Sequence, residues 1–232
     1  MQRQHLIFDA DDTLWENNVY FEQAFERFCQ FLDHSALTPD EIRAALDEIE
    51  IVNNKIHGYG ALNFGRNLVQ CFEQLAERAV EDHHRHHVAS LAHGIFDCPM
   101  QLMPGVRETL EKLTARHELT LFTKGAWDEQ NQKIDRSGLR PLFAHCAVVK
   151  EKNVEAYRTL ADVRGFDLDR TWMIGNSPKS DVNPALRAGL RAVFVPHERT
   201  WTLEREDLLE SLGRLVRVPA FRDLAKLFDG QA

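Results

Sequence analysis

The chain contains few cysteines and no surplus of positive charge. Four cysteines are spread over 232 residues without close pairing, and 28 lysines and arginines stand against 36 aspartates and glutamates, for a formal net charge of −8. Isolated cysteines in apolar patterns favour buried, reduced thiols over a disulfide framework. The acidic balance provides no electrostatic reason to expect a nucleic-acid partner.

Long apolar stretches are also missing. No segment is long enough to span a bilayer, and Arg3 leads at once into a short apolar segment, without the pattern of a signal peptide. We therefore expect a cytoplasmic protein with no membrane partner. A chain of this length can bury a sizeable core, either as one large domain or as a core with an insert.

Near the N-terminus an apolar run ends in two carboxylates. Residues 6–8 are followed by Asp9 and, two positions later, by Asp11. Side chains alternate along a strand, so the two carboxylates start on the same side. Like charges this close destabilise each other unless a cation lies between them or one carboxyl takes a proton. The segment therefore predicts a metal site or a nucleophile beside an acid–base group, with a solvated acidic turn as the alternative.

Helical and strand patterns alternate from residue 104 onward. The predicted helices are 106–116, 126–137, 151–164 and 180–188, and the predicted strands are 118–123, 146–149, 171–175 and 191–195. Such alternation is typical of a parallel sheet with helices on both faces. With the first strand, it predicts an α/β fold with a three-layer, Rossmann-like core. In the tail from Leu203 we identify only an amphipathic piece, 221–228.

Residues 16–98 show helical patterns and no convincing strand. Thr38 is followed by Pro39 and then by two acidic residues, which is typical of a helix start. We therefore divide the chain into a core, residues 1–15 and 99–232, and an inserted all-helical domain, residues 16–98.

Polar side chains follow the predicted strands of the core. After the Asp pair these are, in chain order, Thr123 with Lys124 and Gly125, then Lys150 and Lys152, and then Asn176 and Asp181. In an open parallel sheet the ligand crevice lies outside the carboxyl ends of the strands. The groups are therefore expected to converge.

This ordered set resembles the haloacid dehalogenase superfamily of hydrolases. The signature of that superfamily is an Asp-x-Asp-x-Thr strand end, a Ser or Thr strand end, a lysine and a closing acidic motif. The matching residues here are Asp9, Asp11 and Thr13, then Thr123, then Lys152 or Lys150, and then Asn176 with Asp181. The resemblance covers about residues 1–15 and 100–200. One departure is that the closing motif, which usually begins Gly-Asp, begins here with Gly175 and Asn176.

The resemblance implies a Mg²⁺-dependent phosphatase that hydrolyses a small phosphomonoester, a phosphorylated metabolite, through an aspartyl-phosphate. Asp9 would be the nucleophile and Asp11 the acid–base group. Substrate binding would fall to Thr123, Lys124, Gly125 and Lys152, and the metal ligands would be Asp9, the Asp11 backbone carbonyl, Asp181 and Asn176. Thr13 would orient the loop, and Asp12 would be a bystander. In position, the insert matches the helical, C1-type cap of the superfamily.

Several alternatives stay open on the sequence. Hydrolytic 2-haloacid dehalogenation and phosphomutase chemistry belong to the same superfamily. A non-enzymatic alternative is a receiver-like switch that is phosphorylated on Asp. Lys150 and Lys152 both lie close to the motif position, and we favour Lys152. Five histidines between 83 and 93 are interpreted as a solvated helix face and not as a zinc site, because no Glu-x-x-His pattern or cysteine pair completes a ligand set. In the insert, substrate contacts would be sought at Tyr59, Asn63, Phe64 and Arg66.

Overall fold

The computed structural model describes residues 3–210 and 213–228. The chain divides into two compact units, Met1–Glu16 with Met100–Ala232, and Asn17–Pro99. The boundaries predicted from the sequence each lie one residue earlier. We refer to the two parts as the sheet unit and the helical unit.

A six-stranded parallel sheet forms the centre of the sheet unit. The strands are β1 (His5–Phe8), β2 (Glu118–Lys124), β3 (His145–Val149), β4 (Thr171–Gly175), β5 (Arg191–Phe194) and β6 (Leu215–Arg217). Their order across the sheet is β3-β2-β1-β4-β5-β6. The central strand β1 pairs in parallel with both β2 and β4, so that Phe8 lies opposite Leu121 and Ile174. The predicted α/β, Rossmann-like core is confirmed.

Helices cover both faces of this sheet. They are α5 (Val106–Thr114), α6 (Trp127–Ser137), α7 (Val154–Arg164), α8 (Asn183–Ala188) and α9 (Leu224–Phe228). Leu6 and Phe8 of β1 belong to the core cluster that includes α5 and α9, whereas Ile7 belongs to the cluster that includes α7 and α8. Alternate side chains of one strand therefore enter opposite layers of the core.

Two predicted element boundaries are wrong in informative ways. The helix predicted from residue 151 begins at Val154, because the Asn153 side chain accepts a hydrogen bond from the Ala156 amide (2.9 Å) and caps it there. Lys152 is therefore left in the loop before the helix. The helix predicted over 180–188 is a π-helical turn, Pro178–Val182, followed by the short α8.

The helical unit, all of whose residues are described, contains no strand. Its helices are α1 (Asn18–Leu32), α2 (Pro39–His57), α3 (Ala61–Leu75) and α4 (Asp82–His93). Thr38 caps α2 in a capping box with Glu41, as the sequence predicts. The unit has a hydrophobic core of its own, which includes the fully buried Phe28, Leu46 and Leu68. Over the part of the chain that the structure describes, no helix combines the length and the apolar character needed to cross a lipid bilayer.

Candidate functional site

The central strand places Asp9 at the carboxyl edge of the sheet. The Asp9 amide donates to the Ile174 carbonyl (2.9 Å), which extends the β1–β4 pairing by one residue, and Asp9 is buried. The chain then turns through Asp12, whose φ of 60° lies in the left-handed region. This turn returns the Thr13 hydroxyl to 2.9 Å from Asp9 Oδ2. Thr13 therefore holds the Asp9 carboxylate by a hydrogen bond, whereas the sequence predicts only that it orients the loop.

Lys152 contacts two predicted site carboxylates that lie far apart in the sequence. Its Nζ lies 2.5 Å from Asp9 Oδ1 and 2.5 Å from Asp181 Oδ1, and all three residues are buried. Burial favours the neutral form of Lys152, but the charges of Asp181 and Asp9 outweigh it and raise the pKa of the ammonium. Lys150, the alternative, is exposed. The structure thus brings Asp9, Lys152 and Asp181 into one cluster.

The π-helical turn after β4 positions Asp181. Its Oδ2 accepts a hydrogen bond from the Ser177 amide (2.9 Å). A Cβ added to Gly175 would lie 2.2 Å from this same oxygen, so only glycine leaves room for the carboxylate. Burial and the nearby Asp9 charge raise the pKa of Asp181, while Lys152 opposes the shift.

Asn176 lies between two threonines. Its Oδ1 is 3.1 Å from the Thr13 hydroxyl, and its Nδ2 donates to Thr200 Oγ1 (3.1 Å). The amide therefore shares Thr13 with the nucleophile candidate Asp9. A carboxylate, the usual group at this position of the motif, has no N–H to donate to the Thr200 hydroxyl oxygen.

The side chain of Asp11 is held by a separate group of donors. Its Oδ1 accepts from Trp15 Nε1 (2.7 Å), its Oδ2 accepts from Gln130 Nε2 (2.9 Å), and Lys133 Nζ reaches both oxygens at 3.0 and 2.8 Å. Burial would raise the pKa of Asp11, but Lys133, Gln130 and Trp15 lower it below the ordinary value. Asp11 is thus held as a carboxylate by residues that are not part of the Asp9–Lys152–Asp181 cluster.

The other predicted substrate-binding residues follow β2. The buried Thr123 donates its hydroxyl to Gln130 Oε1 (3.2 Å). Lys124 Nζ donates to Glu204 Oε1 (2.6 Å) and Ser180 Oγ (3.0 Å). Gly125 has a φ of 150°, and a Cβ there would lie 2.8 Å from Gln130 Nε2. Thr123 and Gly125, at the end of β2, therefore both contact Gln130, the residue that also donates to Asp11.

Several residues in this region were not predicted from the sequence. Glu204 accepts from both Lys124 and Ser177 Oγ (2.6 Å each), and although burial opposes the shift, Lys124 lowers its pKa. Thr200 and Glu204 both follow β5, the strand next to β4. The strand-end argument applied to the first four strands extends to β5 and would have drawn attention to this segment. Gln130 and Lys133 carried no such signal, because they lie inside a helix.

Asp12, the predicted bystander, belongs to a separate polar group. Ligand atoms of Asp12, Glu16 and His197 lie within 4.8 Å of one another, which is a spacing that a metal ion could bridge. The Nδ1 atom of His197, however, accepts a hydrogen bond from the Arg199 amide (3.3 Å). The neutral ring therefore carries its proton on Nε2, the nitrogen that faces Glu16 at 3.6 Å. A protonated ring nitrogen is not a metal ligand, so we assign no metal to this group.

Two of the four candidate positions in the helical unit lie in its interior, while Tyr59 is half-buried. Asn63 and Phe64 are buried, and the Asn63 amide donates to Asn54 Oδ1 (2.9 Å) and to the Gly58 carbonyl (2.7 Å). Arg66 is exposed. The histidines of α4 contact one another and nearby aromatic rings, with His87 4.3 Å from the ring of Phe31.

The residues around Asp9 fit the magnesium ion that the resemblance implies. Two buried carboxylates share the single ammonium of Lys152, so the three side chains carry one excess negative charge. Each oxygen of the two carboxylates accepts one of the hydrogen bonds described above and keeps a second lone pair for another partner. Carboxylate and amide oxygens, with backbone carbonyls, are the hard ligands that Mg²⁺ prefers.

Comparisons with known proteins identify the family of the chain. The model of the haloacid dehalogenase-like hydrolase family matches residues 4–189. The chain therefore belongs to the haloacid dehalogenase-like hydrolases, and its sequence resemblance to that superfamily is confirmed. A comparison with curated protein sequences gives no match.

Solved structures with this fold include both dehalogenases and phosphatases. A haloacid dehalogenase-like family hydrolase from Xanthomonas campestris is 27% identical, with a TM-score of 0.83 over 98% of this chain and 95% of the other. L-2-haloacid dehalogenase from Xanthobacter autotrophicus is 18% identical, with a TM-score of 0.67 and full coverage of both chains. A Haemophilus somnus protein described as a predicted phosphoglycolate phosphatase is 16% identical, with a TM-score of 0.65 and 98% coverage of both chains. The fold alone does not distinguish the two activities.

Proposed function

We propose that this hydrolase is a Mg²⁺-dependent phosphatase that acts on a small phosphorylated metabolite through an aspartyl-phosphate on Asp9. The observation that carries the proposal is the sharing of Lys152 by Asp9 and Asp181, which leaves one excess negative charge in a buried site. A divalent cation would compensate this charge and attract a phosphate group. Hydrolytic dehalogenation needs neither a cation nor protonation of its leaving group.

In the first step an oxygen of Asp9 attacks phosphorus, and the bond from phosphorus to the leaving-group oxygen breaks. Thr13 and Lys152 hold the attacking carboxylate in place. Asp11 binds a proton from solvent only after one of its hydrogen-bond donors moves away, and it then gives this proton to the leaving oxygen. Thr123, Lys124 and the backbone of Gly125 follow β2 at the same edge of the sheet and would contact the phosphate.

In the second step Asp11 takes a proton from water, and the water oxygen attacks the phosphorus of the aspartyl-phosphate. The bond between Asp9 and phosphorus breaks, which releases inorganic phosphate and restores the Asp9 carboxylate. Asp9, Asp181, the Asp11 carbonyl and Asn176 are the groups that would hold Mg²⁺. When bound, the ion would neutralise charge that builds up on the phosphate oxygens.

The proposal is tested by Asp9→Asn, which removes the nucleophile's charge and keeps its shape. We expect the wild type to release phosphate from an aryl phosphate only when Mg²⁺ is present, and the variant to fall to the rate without enzyme. Asp12→Asn is a matched control, because Asp12 is similarly buried in the same turn and belongs to the group with Glu16 and His197. It is expected to retain wild-type turnover.

A parallel assay separates the phosphatase from the alternatives. Chloride release from 2-chloropropionate without phosphate release from any phosphomonoester would contradict the proposal and favour a dehalogenase. A stable phosphorylated Asp9 without turnover would favour a switch. Unchanged phosphatase activity in Asp9→Asn would show that Asp9 is not the nucleophile.

A further inference from the structure

The oxygens of Asp11 are fully occupied by hydrogen-bond donors. A carboxylate offers about four lone-pair sites. Trp15, Gln130 and two contacts from Lys133 fill four positions at 2.7–3.0 Å. No lone pair then remains for a proton on its way to or from a substrate. Asp11 must therefore lose one of these contacts before it can act as the acid–base group.

Two of the three donors are fixed by their surroundings. Trp15 is fully buried in the core of the sheet unit. Gln130 is also buried, and its Oε1 accepts the Thr123 hydroxyl while Gly125 closes against its amide. Moving either residue would disturb the core or the end of β2.

Lys133 is the donor that can move. Its ammonium is on a flexible four-carbon chain, and Glu129, one turn earlier on α6, has Oε1 3.7 Å from Lys133 Nζ. A small shift of the ammonium from Asp11 toward Glu129 would keep its charge paired. The same shift would free a lone pair on each oxygen of Asp11.

We propose that Lys133 is a positioning residue that moves between Asp11 and Glu129 during turnover. While it contacts Asp11 it fixes the carboxylate, and while it contacts Glu129 it leaves Asp11 able to transfer a proton. The inference rests on the proposed phosphatase function, since it assigns the acid–base step to Asp11.

The inference predicts that Glu129→Gln slows the reaction selectively. Without the Glu129 charge, Lys133 stays on Asp11 and proton transfer to the leaving group is hindered. For an alkyl phosphate, whose leaving group needs a proton, we expect kcat/KM to fall roughly tenfold, less than the about 10²–10⁴-fold that general acid–base catalysis contributes, because the proton transfer is hindered and not abolished. For p-nitrophenyl phosphate, whose leaving group needs none, kcat/KM, which reports the steps up to release of the leaving group, should change little. The attack of water on the aspartyl-phosphate also needs Asp11 and is common to both substrates, so kcat should fall for both.

A double-mutant cycle distinguishes this role from a merely structural one. With Lys133→Met nothing is left to move, so adding Glu129→Gln should have no further effect on kcat. Lys133→Gln, which retains an N–H donor, replaces Lys133→Met if that variant does not fold. Asp135→Asn, which removes a carboxylate from the exposed pair with Arg140 on the same helix, is the matched control.

Additive effects in the cycle would overturn the inference, and so would equal losses of kcat/KM for the alkyl and aryl substrates. Failure of the proposed function would look different, because the wild type would then release no phosphate at all.

Discussion

At the scale of single residues, the site depends on groups with several partners each. Thr13 contacts both Asp9 and Asn176, and Lys152 contacts both Asp9 and Asp181. Such shared contacts make the effect of one substitution depend on its neighbours. Asn176 is the position where a change of charge without a change of size is most informative.

Asn176→Asp is expected to tighten Mg²⁺ binding. A further carboxylate, beside Asp9 and Asp181, adds negative charge within a few ångströms of the proposed ion, and we expect the Mg²⁺ concentration for half-maximal turnover to fall roughly tenfold, since such charges interact strongly at short range. Calorimetric titration with Mg²⁺ would measure the affinity independently of turnover.

The Thr200 hydroxyl provides the control for this substitution. Thr200→Val removes the acceptor of the Asn176 amide without adding charge. Its Mg²⁺ requirement should stay close to that of the wild type. If Asn176→Asp needs as much Mg²⁺ as the wild type, or more, Asn176 does not contact the ion.

At the scale of elements, the strands could be predicted from the sequence and the connections only in part. Short apolar runs between turn residues identify β1 to β5 within about one residue. β6 was not predicted, since its two apolar residues, Leu215 and Val216, form too short a run to identify a strand. Pairing with β5 makes it a strand. The residues around Asp9 follow from the rule that ligands bind at strand ends. Gln130 and Lys133 do not, because the rotation of α6 about its axis is set by packing.

The cap of α7 affects both stability and the site. Asn153 starts the helix immediately after Lys152. Asn153→Ala should lower the free energy of unfolding by about 1 kcal/mol, as is usual for loss of an N-cap. It should also reduce kcat, because the backbone that positions Lys152 loses its anchor. Thermal unfolding and steady-state kinetics measure the two effects.

Thr38→Ala is the comparison for this prediction. It removes the same kind of cap from α2 in the helical unit. A similar loss of stability is expected, but it should leave kcat for p-nitrophenyl phosphate unchanged. Equal kinetic losses in both variants would mean that Asn153 affects turnover only through overall stability.

At the scale of the whole molecule, the two units have separate hydrophobic cores. One cluster lies entirely in the helical unit, and the others lie entirely in the sheet unit. We therefore expect the stability of each unit to depend on the buried groups within that unit. Glu50 is the clearest such group in the helical unit, because burial raises its pKa to about 8 although Arg43 opposes the shift.

The stability of the helical unit should accordingly fall with rising pH. Between pH 4.5 and 8 folded Glu50 keeps a proton that the unfolded chain has lost. The folded form thus binds more protons, and stability decreases as pH rises across this window, by about a few kcal/mol. Above pH 8 both forms are ionised and this contribution stays constant.

Glu50→Gln tests this by removing the ionisable group and keeping its shape. Calorimetric unfolding from pH 5 to 9 should show a weaker pH dependence than in the wild type, and higher stability at pH 8. The gain should appear in the unfolding of the helical unit and leave that of the sheet unit unchanged. An identical pH dependence in both proteins would show that Glu50 does not keep its proton in the folded state.

The position of β1 at the centre of the sheet has a consequence for folding. Its neighbours β2 and β4 begin more than a hundred residues later, and the contact from Lys152 to Asp9 spans 143 positions. Contacts so distant along the chain form slowly, because a long loop must close before they stabilise anything. During synthesis the nucleophile candidate emerges first, but its neighbourhood is complete only once Asp181 has emerged. Until β2 emerges, β1 has neither of its pairing partners, and until β4 emerges it has only one.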